Sequence, residues 1–174
     1  MNDLDVIRRI ESKLEFPLRK ISPEEIEKVA QWPAKAYAVD GNGNVIGLQL
    51  DGYAISLDAE LADLCHLTML TLRNAHLEEA EILKTLKGLT SLNLSGTKVT
   101  DLSFLKELKG LTSLYLSDTK VTDLSFLKEL KGLTSLDLSG TQVTDLSFLK
   151  ELKRLTSLGL SETQVTDLSF LKEP

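Results

Sequence analysis

Over residues 89–110 the apolar side chains fall at Leu89, Leu92, Leu94, Val99, Leu102, Phe104, Leu105 and Leu108, positions 1, 4, 6, 11, 14, 16, 17 and 20 of a 22-residue unit. That spacing fits neither a helix nor a strand by itself. Leu92 and Leu94 alternate with polar neighbours, the pattern of a short strand with one buried face, while Leu102 to Leu108 suit a tight helical turn. Each unit therefore reads as one coil with a strand on one side. The text LTSLNLSGTKVTDLSFLKELKG repeats from Leu111 and Leu133 with few changes, and weaker copies start at Val45, Leu67 and Leu155. Six units, 45–66, 67–88, 89–110, 111–132, 133–154 and 155–174, follow one another without an insertion. One coil cannot bury its own leucines, but stacked coils form a continuous apolar interior and bring their strands side by side. The pattern predicts an α/β solenoid with a parallel sheet on the concave face and short helical or 3-10 turns on the convex face.

Residues 1–44 lie outside the repeat and predict a helical N-terminal cap with a leading strand. Leu4, Ile7, Ile10 and Leu14 recur at helical spacing. The tetrapeptide SPEE supplies a capping box: Ser22 as cap, Pro23 in the first helical position and Glu25 reaching back, after which Ile26, Val29 and Ala30 face one side. Beyond Trp32 and Pro33, AYAV and NVIGLQL flank DGNG, a hairpin turn. Asp40, Asn42, Asn44 and Asp51 also match positions 1, 3, 5 and 12 of a calcium-binding loop, but that loop needs Gly where this chain has Val45 and normally Glu at its end. A plain hairpin is the expectation.

In the return segment VTDLSFLKELKG, Asp101 is placed to accept a hydrogen bond from the backbone N–H two residues on, and Gly110 to close the turn with a positive φ. Asp123, Asp145 and Asp167 repeat the device. A catalytic or metal-binding row of aspartates would have to converge on one point, whereas equivalent positions in stacked coils stand about 5 Å apart per step. They read as turn residues.

The segments LTSLNLSGTKV and LTSLDLSGTQV resemble the LxxLxLxxNxL pattern of leucine-rich repeat proteins, and the resemblance spans residues 45–174. Where that family usually places Asn, this chain has Thr97, Thr119, Thr141 and Thr163, with Tyr53 and Ala75 in the two earliest units. A threonine hydroxyl donates once and lacks the amide's two donors, so a thinner ladder of side-chain bonds is predicted. A narrower resemblance lies in MNDLDVIRRIESKLEFPL, AYAVDGNGNVIGLQL and the TDLSFL turn, which look like the amino-terminal region of bacterial Roco proteins. There, repeats precede a Ras-like GTPase domain and a dimerising COR domain. The resemblance implies a larger Roco-like parent, but no GxxxxGK[ST] phosphate loop occurs in this chain, so GTPase activity is not expected of it. Internalins share the 22-residue unit but are exported, and the opening MNDLDVIRRIESKL has no signal-peptide pattern.

Composition narrows the classes of partner. At 42% hydrophobic, 26% charged and 5% aromatic, the chain is globular with an aliphatic core. A net charge of -6 disfavours nucleic acid and acidic lipid, which require clustered Lys and Arg. Residues 89–174 carry 10 basic and 11 acidic side chains, so five of the six net negative charges fall in residues 1–88, too diffuse to name a ligand. No segment is apolar enough to span a bilayer, and one cysteine, Cys65, without an export signal predicts a reducing cytoplasm. Cys65, His66 and His76 are the whole soft-ligand inventory. A closed zinc site needs four ligands, and adjacent Cys65 and His66 are expected to point apart. No nucleophile–base–orienter set can be assembled around the repeating serines, so no enzyme activity, cofactor or metal is predicted.

Since positions 4 and 6 of each strand face inward, positions 3, 5 and 7 line the concave side. Position 5 reads Gln49, Thr71, Asn93, Tyr115, Asp137 and Gly159, six different residues; position 8 alternates Gly with Asn74, Asp118 and Glu162. Drift at solvent-facing sites would produce such changes, as would selection for a binding face. Thr90, Ser91, Ser95, Lys106 and Glu107 are expected to be as exposed yet are unchanged in later copies, which favours binding. The predicted contact residues are Gln49, Thr71, Arg73, Asn93, Tyr115, Asp118, Asp137 and Glu162. Tyr115 serves as the anchor, Arg73 as a forked contact, and the acids lean towards a basic partner. The expected partner is a protein, or other domains of a parent. At Pro174 the last unit stops where Leu152 stands in its predecessor, and no polar cap follows, which predicts a fragment of a longer chain. Alternatively, the open end of a self-standing protein pairs with a second copy.

Overall fold

The structure, a computed structural model, describes residues 2–28, 35–52, 54–55, 58–77 and 80–166. The expectations for Val29, Ala30, Trp32, Pro33, Tyr53, Asp167 and the end at Pro174 lie outside the described residues. Its elements run α1 (Asp3–Leu14), β1 (Arg19–Ile21), α2 (Pro23–Lys28), β2 (Lys35–Val39), β3 (Val45–Leu50), β4 (Ala54–Ile55), α3 (Asp58–Asp63), β5 (Met69–Thr71), β6 (His76–Leu77), β7 (Ser91–Asn93), β8 (Ser113–Tyr115), β9 (Ser135–Asp137) and β10 (Ser157–Gly159). Four 3-10 turns, Ala80–Thr85, Ser103–Glu107, Ser125–Glu129 and Ser147–Glu151, follow β6, β7, β8 and β9 in turn.

Eight strands form one sheet in the order β1-β2-β3-β5-β7-β8-β9-β10. From β3 onward the pairing is parallel and advances by the repeat length: Leu48 meets Leu70, then Leu92, Leu114, Leu136 and Leu158. Register is fixed because a slip of one residue would turn every leucine towards water. Leu92, Leu94, Leu114, Leu116 and Leu138 are fully buried, and Phe104, Leu105, Phe126, Leu127, Phe148 and Leu149 close the interior from the convex side. This is the parallel-sheet solenoid that the apolar spacing predicts.

The turns follow from named hydrogen bonds. Asp101 Oδ1 accepts Ser103 N at 2.8 Å, and Asp123 with Ser125 and Asp145 with Ser147 do the same at 2.9 and 2.8 Å. These bonds, backbone first and then the serine hydroxyl, hold the three carboxyls below their usual range. Gly110 departs from expectation, since its φ is not positive. A Cβ there would instead press on the carbonyl of Leu89, the first residue of the same unit, at 3.4 Å, a mild contact, and Arg154 occupies the corresponding place later. Within the coils the positive φ values fall earlier, at Gly52, Asn74, Gly96, Asp118, Gly140 and Glu162.

The cap uses both faces of the sheet. Asn2 caps α1 by accepting Leu4 N at 3.0 Å, and Val6, Ile7 and Ile10 bury into the main core, a face slightly rotated from the predicted Leu4–Leu14 stripe. Asp3 Oδ2 accepts Val45 N at 2.8 Å, while Arg9 and Lys13 pair with Asp63 and Glu60 of α3. The capping box is present: Ser22 N donates to Glu25 Oε2 at 2.8 Å and Glu25 N to Ser22 Oγ at 3.2 Å. Helix α2 then lies on the concave side, where Ile26 covers β3 above Gly47; a Cβ on Gly47 would overlap the Ile26 side chain. Ile21, Ile26, Ala36 and Ala38 form a second small core there. Asp40 closes the β2–β3 hairpin by accepting Asn42 N, Asn44 N and Asn44 Nδ2 at 2.8 to 2.9 Å. The Asn44 bonds hold its carboxyl below the usual range.

Candidate functional site

Positions 3, 5 and 7 of the strands floor an open groove of about 670 Å³ on the concave side. Its walls are mostly hydroxyl side chains, with Met69 and Ile26 at the cap end and Tyr115 and Asp137 at the other. The predicted contact residues divide here. Thr71, Asn93, Tyr115 and Asp137 line the groove, half-buried. Gln49 does not stand open: it is 3% exposed beneath α2, and its Nε2 donates to the Ile26 carbonyl at 3.0 Å. The antiparallel leading strand brings α2 over the first coil, which the repeat pattern does not encode. Arg73 forms a forked contact, but an internal one: Nε and Nη2 donate to Asp51 Oδ2 at 3.0 and 2.8 Å, and its backbone N to Oδ1 at 3.0 Å. Asp51 is 4% exposed, so this pair neutralises a carboxylate one coil away.

Position 8 is not a freely varying surface. All six residues there hold positive φ, the region that Gly, Asn and Asp tolerate best. Their alternation has a packing cause: a Cβ on Gly96 would overlap Asn74 Oδ1, and one on Gly140 would overlap Asp118 Oδ1. Asn74 and Asp118 each lie over a glycine in the next coil. Asp118 and Glu162 are exposed, are not among the residues that line the groove, and have backbones set by the turn.

The unchanged polar letters also have internal work. Thr68, Thr90, Thr112, Thr134 and Thr156 each donate Oγ1 to the carbonyl 22 residues earlier, at 2.9 to 3.1 Å. Lys87, Lys109 and Lys131 pair with Glu107, Glu129 and Glu151 of the following coil. Buried Thr97, Thr119 and Thr141 donate to Leu94, Leu116 and Leu138 of their own coil at 2.6 to 2.7 Å, closing the turn rather than joining coils. The threonine at position 2 thus carries a ladder of side-chain bonds between coils that the threonine at position 9 does not. Thr90 and the Lys–Glu pairs are held by these contacts, so their constancy does not by itself argue that the concave column is selected for binding.

At position 5, Asn93 Oδ1 accepts Ser95 N at 3.0 Å and Asp137 Oδ1 accepts Ser139 N at 3.0 Å, the same turn in two coils. Asp137 gains more: Ser139 Oγ at 2.7 Å and Ser117 Oγ from the preceding coil at 2.7 Å. Partial burial raises its carboxyl pKa, but these donors outweigh it and the net shift is downward. A Cβ on Gly159 would overlap Asp137 Oδ1, so Gly at that step is required by its neighbour. Cys65 and His66 do not point apart: Sγ lies 3.5 Å from Nδ1, because the residues sit in the tight turn after α3. The buried Asp3 carboxylate faces the same Nδ1 at 3.6 Å. One nitrogen serves both neighbours, which is not a relay through the ring's two nitrogens.

Comparison with known proteins agrees with this architecture. The family model described as Leucine Rich repeats (2 copies) matches residues 87–129, 109–151 and 131–173, together half of the chain. The chain belongs to the leucine-rich repeat family. Domains of this family generally mediate protein–protein interaction and are typically non-catalytic. Among solved structures, an internalin, InlF, of Listeria monocytogenes is similar at 28% identity and TM-score 0.68 over 85% of this chain and 44% of its own. Internalin C2 of the same organism is similar at 26% identity and TM-score 0.59, over 75% of this chain and 67% of its own. A plant ice-binding protein is similar at 23% identity and TM-score 0.70, over 94% of this chain and 56% of its own, a likeness of fold alone. The chain spans less than half the length of InlF. No curated protein matches it. No helix among the described residues is long and apolar enough to cross a membrane.

Proposed function

We propose that this chain is a non-catalytic protein-binding module that holds its partner on the concave groove, with Tyr115 as the anchor and Thr71, Asn93 and Asp137 as the contacts around it. Asp118 and Glu162, exposed at position 8, flank them. One observation carries the reading: the strand leucines from β3 to β9 go to the core, yet the opposite face keeps an open groove with a half-buried tyrosine towards its far end. Rigid aromatics with a polar tip are favoured at interface centres. Residues 1–44 act as the cap and residues 45–174 as the six stacked coils. The resemblance of MNDLDVIRRIESKLEFPL and AYAVDGNGNVIGLQL supports a bacterial Roco-like parent whose other domains are candidate partners. The single thiol, Cys65, supports a cytoplasmic location. Capture of partners by the chain and by a Tyr115→Ala, Asp137→Ala variant tests the reading. Loss of a bound protein in the variant is expected; equal recovery of every one sinks the proposal.

A second reading is self-association through β10. It is supported by Leu155, Leu158 and Leu160, which are only partly buried where their counterparts in the preceding coils are sealed. Light scattering decides it, since a strict monomer at high concentration excludes it.

A further inference from the structure

Among the described residues, the concave floor has one charge without an internal counter-charge. Arg73 is matched by Asp51, and the Ser91, Ser113 and Ser135 row is neutral. Asp137 differs. Its carboxylate is fixed by Ser117 and Ser139, which are hydroxyl and amide donors, and no cation pairs with it among the described residues. Uncharged donors hold the anion in place without cancelling it, so its field projects into the groove. On one side the next coil offers Gly159, with no side chain to crowd it; on the other stands Tyr115, its register partner across β8 and β9. Neighbouring strands are about 4.8 Å apart, so the ring and the carboxylate stand side by side on the groove floor, where one cation can reach both. A cation over a tyrosine face within about 6 Å of its centre is attracted by the ring, and a carboxylate beside it adds a charge-assisted hydrogen bond.

Resting on the concave-face reading, we infer that Tyr115 and Asp137 form a subsite for a cationic side chain, an arginine or lysine, presented by a partner polypeptide. Asp118 and Glu162, exposed at position 8, are acidic as well, whereas Lys98 and Lys120 stand two positions further round the coil and do not line the groove. The arrangement suits arginine best, because a guanidinium can stack on the ring while its edge donates to Asp137 Oδ2.

The test uses the full chain labelled with 15N and titrated with the peptide acetyl-Arg-Arg-Arg-amide. Amide shifts are expected at Tyr115, Ser139 and Gly159. Asp137→Asn should weaken the peptide on the order of tenfold, because it removes the charge, while Asn93 shows that asparagine keeps the turn at this step. Glu107→Gln, on the convex side, should leave the affinity unchanged. The citrulline version of the peptide, neutral and near-isosteric, should produce no groove shifts. Unchanged affinity in Asp137→Asn overturns the subsite, as do shifts confined to Asp118 and Glu162, or groove shifts from neutral maltoheptaose with none from the arginine peptide. The broader reading has its own outcome: if the subsite fails while the Tyr115→Ala, Asp137→Ala variant still loses its captured partner, the concave face binds by other contacts.

Discussion

Gln49 and Asp137 occupy the same step of the coil, four repeats apart, and meet opposite fates. Both side chains leave the strand on the concave side, yet Gln49 is sealed under Ile26 and the small core of α2, whereas Asp137 stands in the groove with Tyr115 beside it. The strand is the same; what differs is what covers it. At the cap end, the antiparallel β2 and helix α2 turn a solvent-facing position into an interior one, and the buried Asp51 carboxylate in the same coil is matched internally by Arg73. At the other end, repetition alone builds the face and leaves it open.

The largest expected effect tests whether interior packing is equal along the stack. Leu114→Ala should cost about 3 kcal/mol, because the side chain is fully buried among neighbouring coils and leaves a cavity. Leu158→Ala, at the same step in β10, should cost about 1 kcal/mol, since that leucine is only partly buried. Urea titration of both variants measures the ratio; equal losses would mean that the final coil is as well packed as the middle ones.

Next in size is Arg73→Ala, at about 2 kcal/mol, because it strips the guanidinium from a carboxylate that is 4% exposed. Asp137→Asn should stay within about 0.5 kcal/mol at neutral pH, since asparagine makes the same turn. If thermal melts show the two variants equally damaged, the contrast between a structural end and an open end fails. Gly140→Ala follows at about 1 kcal/mol, as it puts a Cβ on a residue at φ 67 and against Asp118. Adding Asp118→Gly should return part of that loss; a purely additive double variant would show that the alternation along position 8 is not a packing device.

How much of this was written in the letters depends on whether a feature repeats. Strand positions, register and the Asp101, Asp123 and Asp145 turns were legible because each recurs every 22 residues and has one physical solution. The capping box at Ser22 and the DGNG hairpin were legible because their chemistry is local. The burial of Gln49 was not, because it depends on where α2 lands, and that landing is permitted by a single glycine, Gly47. The Arg73–Asp51 pair was hidden by its distance of one coil, although both residues sit at position 7 of adjacent units and their opposite signs were a readable signal. The swing between Gly and Asp at position 8 looked like variation in a surface and is a backbone requirement; the glycine at alternate steps was the clue. The position-2 threonines looked like idle exposed residues because a side chain reaching back to the previous coil's carbonyl leaves no mark on hydrophobic spacing.

The smallest effect is the most specific to the open end. Asp137 has a carboxyl held below its ordinary value by Ser117 and Ser139 against the opposing influence of partial burial. A group whose folded pKa is depressed binds protons more weakly in the folded state than in the unfolded one. Its contribution is present above the unfolded value of about 3.9 and is lost as pH falls through the lower folded value. The melting temperature of the chain should therefore decline on acidification below about pH 4, and Asp137→Asn should decline less steeply. The variant begins slightly below the parent at pH 6 and meets it in strong acid. Asp101, Asp123 and Asp145 shift in the same direction and persist in the variant, so a residual slope is expected. Ser117→Ala provides the cross-check, because it removes one donor to Asp137 while leaving the carboxyl, and should flatten the acid decline by part of the same amount. Parallel curves for the parent and both variants would show that Asp137 is not held as an anion by the serines around it, and the cationic subsite would lose the fixed charge on which it rests.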